Sequence, residues 1–176
     1  YSAWLTPEGK ESHVRAVRAE GFPDYTVKPE GERPFYTSIL WLEPFNEVNR
    51  RAFGYDMYSE PVRRAAMNRA RDTGMTSISG RIILVQETEE NVQYGILMYL
   101  PSYRWGMPTD TVEQRRDALR GFVYSPIRMN DFIHGALTRM PESVALAIYS
   151  GQEPLPENLL FSSRQESLPA GYEPAF

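Results

Sequence analysis

Hydrophobic and polar positions along the chain change between helix-like and strand-like periods, which predicts a domain built from both element types. Apolar residues spaced three and four apart, with Pro before and Gly after them, indicate helices. Runs of β-branched and aromatic residues bounded by Gly and Pro indicate strands. The predicted helices span residues 7–19, 44–52, 61–73, 111–119 and 130–139. The predicted strands span residues 36–42, 76–79, 82–86, 93–103, 121–124 and 144–149, and an apolar patch at 159–161 offers one more.

These elements favour an α+β fold with an antiparallel sheet, helices over one face and a ligand cleft between them. Short helices between strands also fit a doubly wound parallel sheet. No Gly-rich phosphate-binding loop follows a predicted strand, so nucleotide-binding versions of the parallel fold lose their main signature. Periodicity alone leaves both arrangements open.

The helix that follows residue 60 has the clearest boundaries. Ser59 is expected to act as its N-cap, Glu60 adds negative charge to the first turn, and Pro61 suits the first helical position. Gly74 ends the helix in the usual C-terminal manner. Its arginines either bind an anion or form a solvated face, and the solvated face is the expectation. These arginines are Arg63, Arg64, Arg69 and Arg71.

Composition narrows the function classes. A chain of 176 residues with 41% apolar residues is long enough to bury a core. The formal net charge is −4 without a long basic run, which argues against nucleic-acid binding. There is no cysteine, which excludes disulfides and thiolate metal sites. The longest apolar runs fall far short of the roughly 20 residues that span a bilayer. The start at Tyr1 suggests an excised fragment.

Enzyme motifs are missing from the sequence. The two histidines, His13 and His134, each lack a second histidine at helical spacing, so a His-based zinc site is not expected. There is no Gly-x-Ser-x-Gly elbow and no kinase-type loop. We therefore expect neither catalysis nor a metal or organic cofactor.

Three segments carry a family resemblance. They read GYDMYSEPVRRAAMNRARDTG at residues 54–74, GILMYLPSY at 95–103 and GFVYSPIRMNDFI at 121–133. Their order and spacing resemble the CHASE domain, the cyclase- and histidine-kinase-associated sensory extracellular domain. The resemblance covers roughly residues 21 to 149 and points to the bacterial type of this family.

The resemblance implies an architecture in tandem. CHASE domains resemble two linked PAS-like units after a stalk helix, each with an antiparallel sheet and flanking helices. By this pattern residues 1–20 would be the end of the stalk and residues 21–120 the membrane-distal, ligand-binding unit. Residues 121–176 would start an incomplete membrane-proximal unit with a loose tail.

The resemblance also implies a binding residue in the first segment. In cytokinin-sensing plant receptors of this family, the Asp of a Leu-Asp-Met motif reads the edge of adenine, and Asp56 matches it here. A carboxylate flanked by Tyr55, Met57 and Tyr58 can accept a hydrogen bond while rings hold a planar ligand. The alternative is a structural Asp that is hydrogen-bonded to nearby backbone.

Further contacts follow from the same pattern. A main-chain group at Ile78, the side chain of Thr88 and strand residues Leu97 and Tyr99 would line the pocket with Asp56 and Met57. Tyr99 stands where the plant proteins carry a small Thr, so its larger ring would narrow a purine pocket. This departure argues against cytokinin itself rather than against the family.

Two hypotheses result. The first is that the domain senses a small organic ligand and faces the periplasm or the cell exterior. It would be part of a membrane-anchored dimeric receptor. The output of that receptor would be a diguanylate cyclase, a phosphodiesterase or a histidine kinase outside this sequence. The second is a protein-interaction or structural signalling module whose cleft is filled by its own side chains.

Overall fold

The computed structural model of the protein describes residues 1–85, 92–137 and 144–164. Its strands are β1 (Ser2–Leu5), β2 (Tyr36–Ile39), β3 (Ser77–Ile78), β4 (Ile82–Ile83), β5 (Tyr94–Tyr103), β6 (Leu119–Arg128), β7 (Ala147–Tyr149) and β8 (Leu159–Ser162). Its α-helices are α1 (Pro7–Ala19), α2 (Glu47–Arg50), α3 (Pro61–Thr73), α4 (Val112–Ala118) and α5 (Met129–Ala136). Two single 3-10 turns cover Met57–Ser59 and Pro156–Asn158.

The main sheet is antiparallel. Its strand order is β2-β1-β6-β5-β3, and β4 pairs with another part of β5. The long β5–β6 pair forms its centre, with Gly95 opposite Arg128 at one end and Tyr103 opposite Leu119 at the other. A separate two-stranded sheet joins β7 and β8. The predicted α+β class with flanking helices is confirmed, and the tandem PAS-like arrangement stays a prediction.

The first strand is an element that sequence reasoning missed. β1 pairs with β2 over its whole length and with β6 at Ser2 and Ala3. The segment therefore joins the sheet before α1 begins, and α1 itself has the predicted bounds. Whether α1 is the end of a stalk stays a prediction.

The third helix has the predicted length, but its cap differs. The Glu60 carboxylate, rather than the Ser59 hydroxyl, accepts hydrogen bonds from the backbone N–H groups of Val62 and Arg63 at 2.9 and 2.8 Å. Ser59 instead donates its hydroxyl to the Asp56 carbonyl at 2.6 Å. The expectation of a Ser59 cap was wrong because that hydroxyl is used inside the preceding 3-10 turn.

The bounds of three other elements differ from the predicted ones. The strand predicted at 36–42 ends at Ile39, and the helix predicted at 44–52 is one turn of four residues. The strand predicted at 121–124 is ten residues long, because its whole edge pairs with β5. It runs across the expected unit boundary at residue 121. The division of the chain into distal and proximal units stays a prediction.

The main core lies between α3 and the sheet. Ala66, Met67 and Ala70 of α3 are fully buried and pack toward Tyr99 of β5 and Phe122 of β6. A second, smaller cluster joins α5 to β8. Its buried members are Met129, Ile133, Leu160 and Phe161.

Candidate functional site

The side chain of Asp56 lies under the 3-10 turn that precedes α3. Its Oδ1 accepts hydrogen bonds from the backbone N–H groups of Thr37 and Tyr58, at 2.7 and 3.0 Å, and from the Thr37 hydroxyl at 3.3 Å. Its Oδ2 accepts one from Arg33 Nε at 2.9 Å. The carboxylate has no solvent exposure. Its contacts join β2, the turn and the loop at Arg33.

The predicted pocket residues on the turn and on β5 meet in one place. Met57 and Leu97 are buried and line a small interior cavity of about 10 Å³ between α3 and the sheet. Tyr99 is fully buried near them and donates its hydroxyl to Met57 Sδ at 3.6 Å. Among the described residues, the inner cavity is lined by Ile39, Ala52, Met57, Arg63, Leu84, Val85, Leu97 and Tyr124. A space of this size has room for about one water molecule.

Six of the residues that line the inner cavity were not predicted from the sequence, and two of them, Arg63 and Tyr124, carry polar groups. Arg63 is only 3% exposed, contrary to the expected solvated face, and its Nε has no hydrogen-bond partner among the described residues. The buried hydroxyl of Tyr124 on β6 likewise has no hydrogen-bond partner in the part of the chain that the structure describes. Burial raises the pKa of Tyr124 far above its usual range, and the nearby Arg63 charge offsets part of that rise. Tyr124 therefore remains a neutral hydrogen-bond donor.

A signal for Arg63 exists in the sequence. Arg63 stands three, four and seven positions before Ala66, Met67 and Ala70, all of which are buried. This spacing places the four residues on one helix face. This buried face therefore includes a charged residue. Helical periodicity alone predicts that Arg63 is buried, provided that its charge is not taken as evidence of exposure.

The remaining predicted contacts lie elsewhere. The Ile78 side chain is about half exposed on the edge strand β3, and its carbonyl accepts a hydrogen bond from Arg69 Nη2 at 2.8 Å. Ile78 is absent from the lining of the inner cavity. Thr88 lies outside the described residues. The structure thus brings together Met57, Leu97 and Tyr99.

A larger outer groove opens beside β6. It has a volume of about 570 Å³ and is rich in aromatic rings, with Trp41 about two-thirds exposed. Tyr124 lines both the groove and the inner cavity. The groove is lined by Tyr1, Val17, Glu20, Phe22, Leu40, Trp41, Leu42, Glu43, Phe45, Asn49, Phe53, Tyr124 and Pro126.

Two classes of site find no support in the described ranges. No group of three or more His, Asp or Glu side chains there has an arrangement that would hold a metal ion. Among the same residues, no helix combines the length and apolar character that crossing a bilayer requires.

Comparison with known proteins adds a family match. A model of the CHASE domain matches residues 1–161. A protein of Dictyostelium discoideum, hybrid signal transduction histidine kinase A, is 30% identical over 118 residues. That region is 65% of this chain and 5% of the kinase, so the chain spans a small part of this relative's length.

Proposed function

Because this chain belongs to the CHASE domain family, we propose that it senses a small organic molecule on behalf of a membrane receptor. CHASE domains are extracellular, non-catalytic sensory domains of membrane receptors, which include histidine kinases and cyclases. The proposal adds to this sensory role that the signal is a small organic molecule.

The inner cavity carries the proposal. Arg63 Nε and the Tyr124 hydroxyl are buried donors without a partner among the described residues, and both side chains line this space. Buried polar groups are nearly always hydrogen-bonded, so two unpaired donors at one cavity call for an explanation. A bound polar molecule supplies one, with Met57 and Leu97 as its apolar walls and Tyr99 behind them.

The role of Asp56 at this site stays a prediction. Its four hydrogen bonds already go to groups of the protein itself. We propose that Asp56 holds the turn that positions Met57, and that direct ligand contact falls to other residues.

Signalling requires two arrangements of the domain. A ligand shifts the balance between them only by the difference between its affinities for each. We propose that the ligand favours an arrangement with an opened inner cavity and that this change passes through flanking segments to the output. In this proposal the receptor is membrane-anchored and dimeric, the domain faces the periplasm or cell exterior, and the output is a histidine kinase or a cyclase.

A thermal-shift screen tests the sensor proposal. Adenine-type cytokinins, purines, amino acids and small carboxylates would each be added to the 176-residue chain. A compound that binds only the native state at a hundred times its Kd stabilises it by about 2.7 kcal/mol. For a domain of this size the melting temperature should rise by roughly 5–10 °C. The proposal would be contradicted if none of these compound classes produced a saturable shift in melting temperature.

The alternative function is a protein-interaction module. The small size of the inner cavity, about 10 Å³, and the exposed aromatic outer groove favour it, because exposed apolar patches often mark protein contacts. Trp41→Ala in the full receptor separates the two functions. Loss of signalling with ligand-induced shifts unchanged would favour the partner protein, and retained signalling would favour the small molecule.

A further inference from the structure

We propose that the inner cavity binds a small carboxylate-bearing molecule, with Arg63 and Tyr124 holding the carboxylate. This inference rests on the proposed sensor function and deepens it by naming the chemical class of the ligand. It also moves ligand recognition from Asp56 to a cationic group on α3.

Arg63 is a buried cation with few partners. Its Nη2 donates to the Ile83 carbonyl at 2.9 Å, and its guanidinium carbon lies 5.0 Å from the centre of the Tyr55 ring. Within the described ranges it forms no ion pair, although Arg33, Arg71 and Arg116 all pair with carboxylates. A buried charge is costly unless an opposite charge accompanies it. Arg63 therefore has the chemistry of a side chain whose counter-ion is a ligand.

Tyr124 supplies a second donor from a different element. Arg63 projects from α3 and Tyr124 from β6, so the two groups reach the cavity from different elements. A guanidinium presents a planar fork of N–H donors that matches the two oxygens of a carboxylate. The phenol adds one O–H donor, which an acceptor-only carboxylate can receive.

The rest of the lining selects the body of the ligand. Ile39, Ala52, Leu84 and Leu97 are aliphatic, so they favour a short apolar chain behind the carboxylate. The present volume of about 10 Å³ is too small for that chain, so binding requires side chains to move. Met57 is the adaptable member of the lining because its unbranched thioether has several rotatable bonds. Tyr124 also borders the outer groove, which provides an approach from solvent.

A single buried water is the competing explanation. Water could accept the two unpaired hydrogens in a space of this size. It would give the cavity no preference for anions, so the two explanations differ in their response to charge.

Propionate and propionamide provide a matched pair of probes. The two molecules have similar size and shape, and only propionate is charged. Each would be titrated into the 176-residue chain at constant ionic strength, with sodium chloride as the salt control, and melting temperature and Kd would be recorded. Adenine is included as a neutral ligand of a different class.

Three variants identify the site. Arg63→Met removes the guanidinium and keeps an unbranched chain, Tyr124→Phe removes one oxygen, and Arg64→Met alters the neighbouring arginine. Arg64 is the matched control because its guanidinium lies over the Tyr58 ring and outside the cavity lining. If Arg63→Met does not fold, Tyr124→Phe carries the test with the smaller change.

The proposal expects a saturable shift with propionate and none with propionamide or chloride. Arg63→Met should weaken propionate binding about tenfold or more, which is the usual effect of losing a charge-assisted hydrogen bond. Tyr124→Phe should weaken it several-fold, and Arg64→Met should leave it unchanged.

Equal shifts from propionate and propionamide, or a propionate shift that both site variants retain, would overturn the proposal. An adenine shift without a carboxylate shift would overturn it and leave the sensor function standing. If neither these probes nor the compounds of the wider screen shifted the melting temperature, both the carboxylate site and the proposed sensor function would be contradicted.

Discussion

Asp56 is the most heavily hydrogen-bonded side chain of the predicted site. Its carboxylate ties β2 to the turn before α3 and forms an ion pair with Arg33. Asp56→Ala should lower the free energy of unfolding by about 3–5 kcal/mol, because it removes the carboxylate that pairs with Arg33 and leaves the buried Thr37 N–H group without an acceptor. Urea unfolding of the two proteins measures this loss.

Asp110→Ala is the control for Asp56. Asp110 is exposed and no hydrogen bond of its carboxylate is present in the described structure, so its replacement should change stability by no more than about 0.5 kcal/mol. An Asp56→Ala protein with ordinary stability and lost ligand response would instead establish Asp56 as a ligand contact.

At the scale of elements, an ionic contact joins the end of α3 to α4. Arg116 donates hydrogen bonds from Nε to Asp72 Oδ1 at 3.0 Å and from Nη2 to Asp72 Oδ2 at 2.6 Å. Arg71 Nε also donates to Asp72 Oδ1, at 2.7 Å. Arg115 Nε adds a hydrogen bond to the Asp72 carbonyl at 2.8 Å. Hydrogen bonds from Arg116 and Arg71 hold the pKa of Asp72 well below its usual range, against the opposing effect of partial burial.

This contact predicts a pH-dependent difference between wild type and Asp72→Asn. The folded pKa is lower than the unfolded value of about 3.9, so the stabilisation is present above that pH and is lost as the pH falls toward the folded pKa. The variant should be less stable by about 1 kcal/mol at about pH 7, with a smaller difference at about pH 3. Urea midpoints at both pH values measure it.

Glu11→Gln serves as the control for Asp72. It breaks the Arg15–Glu11 pair on α1, whose side chains are largely exposed, and should cost less than about 0.5 kcal/mol. A difference for Asp72→Asn that stays constant with pH would show that the ionic contact does not contribute through its charge.

The pairing of β1 with β6 depends on a glycine. A Cβ at Gly121 would overlap the Ser2 carbonyl and approach the Tyr1 hydroxyl, because the two backbones lie in close contact there. Gly121→Ala should therefore lower the melting temperature by several degrees, equivalent to about 1–3 kcal/mol. Scanning calorimetry provides the measurement.

Gly135→Ala is the matched substitution for this test. Gly135 lies in α5 with open space at the Cβ position, so alanine should stabilise the protein by up to about 1 kcal/mol. If alanine lowered the melting temperature at both glycines, or at neither, the close approach of β1 and β6 would not explain the effect of Gly121→Ala.

At the scale of the whole molecule, the two clusters of buried residues differ in size. Among the residues that the structure describes, the main core contains thirteen buried residues between α3 and the sheet, whereas the cluster beside α5 contains four. The β7–β8 pair belongs to the small cluster, and its sheet has two strands within the described ranges. Two-stranded sheets are marginally stable alone, so this region should open more readily than β5 and β6.

Native-state hydrogen exchange tests this difference. Amides in the centre of β5 and β6 should exchange through global unfolding, and those of β7 and β8 through a smaller opening. The β7–β8 amides should exchange at least about tenfold faster, which corresponds to about 1.4 kcal/mol. Equal protection in both regions would show that the two clusters unfold as one unit.

The sequence alone determined the class of fold and the positions of most elements. Periodicity and terminal residues predicted α1 and α3 closely, and the run of β-formers predicted β5. These elements are local, because helix caps and alternation are set by neighbouring residues. The motifs of residues 54–74, 95–103 and 121–133 were also sufficient to indicate the family.

Only the tertiary structure decided which groups face one another. β1 and the full length of β6 depend on pairing with distant strands, which local periodicity does not encode. The internal use of the Asp56 carboxylate depends on Arg33 and Thr37, far away in the chain. That Arg63 has no ion-pair partner among the described residues was also decided by the tertiary structure, because ion pairing is a property of the folded surroundings rather than of a residue.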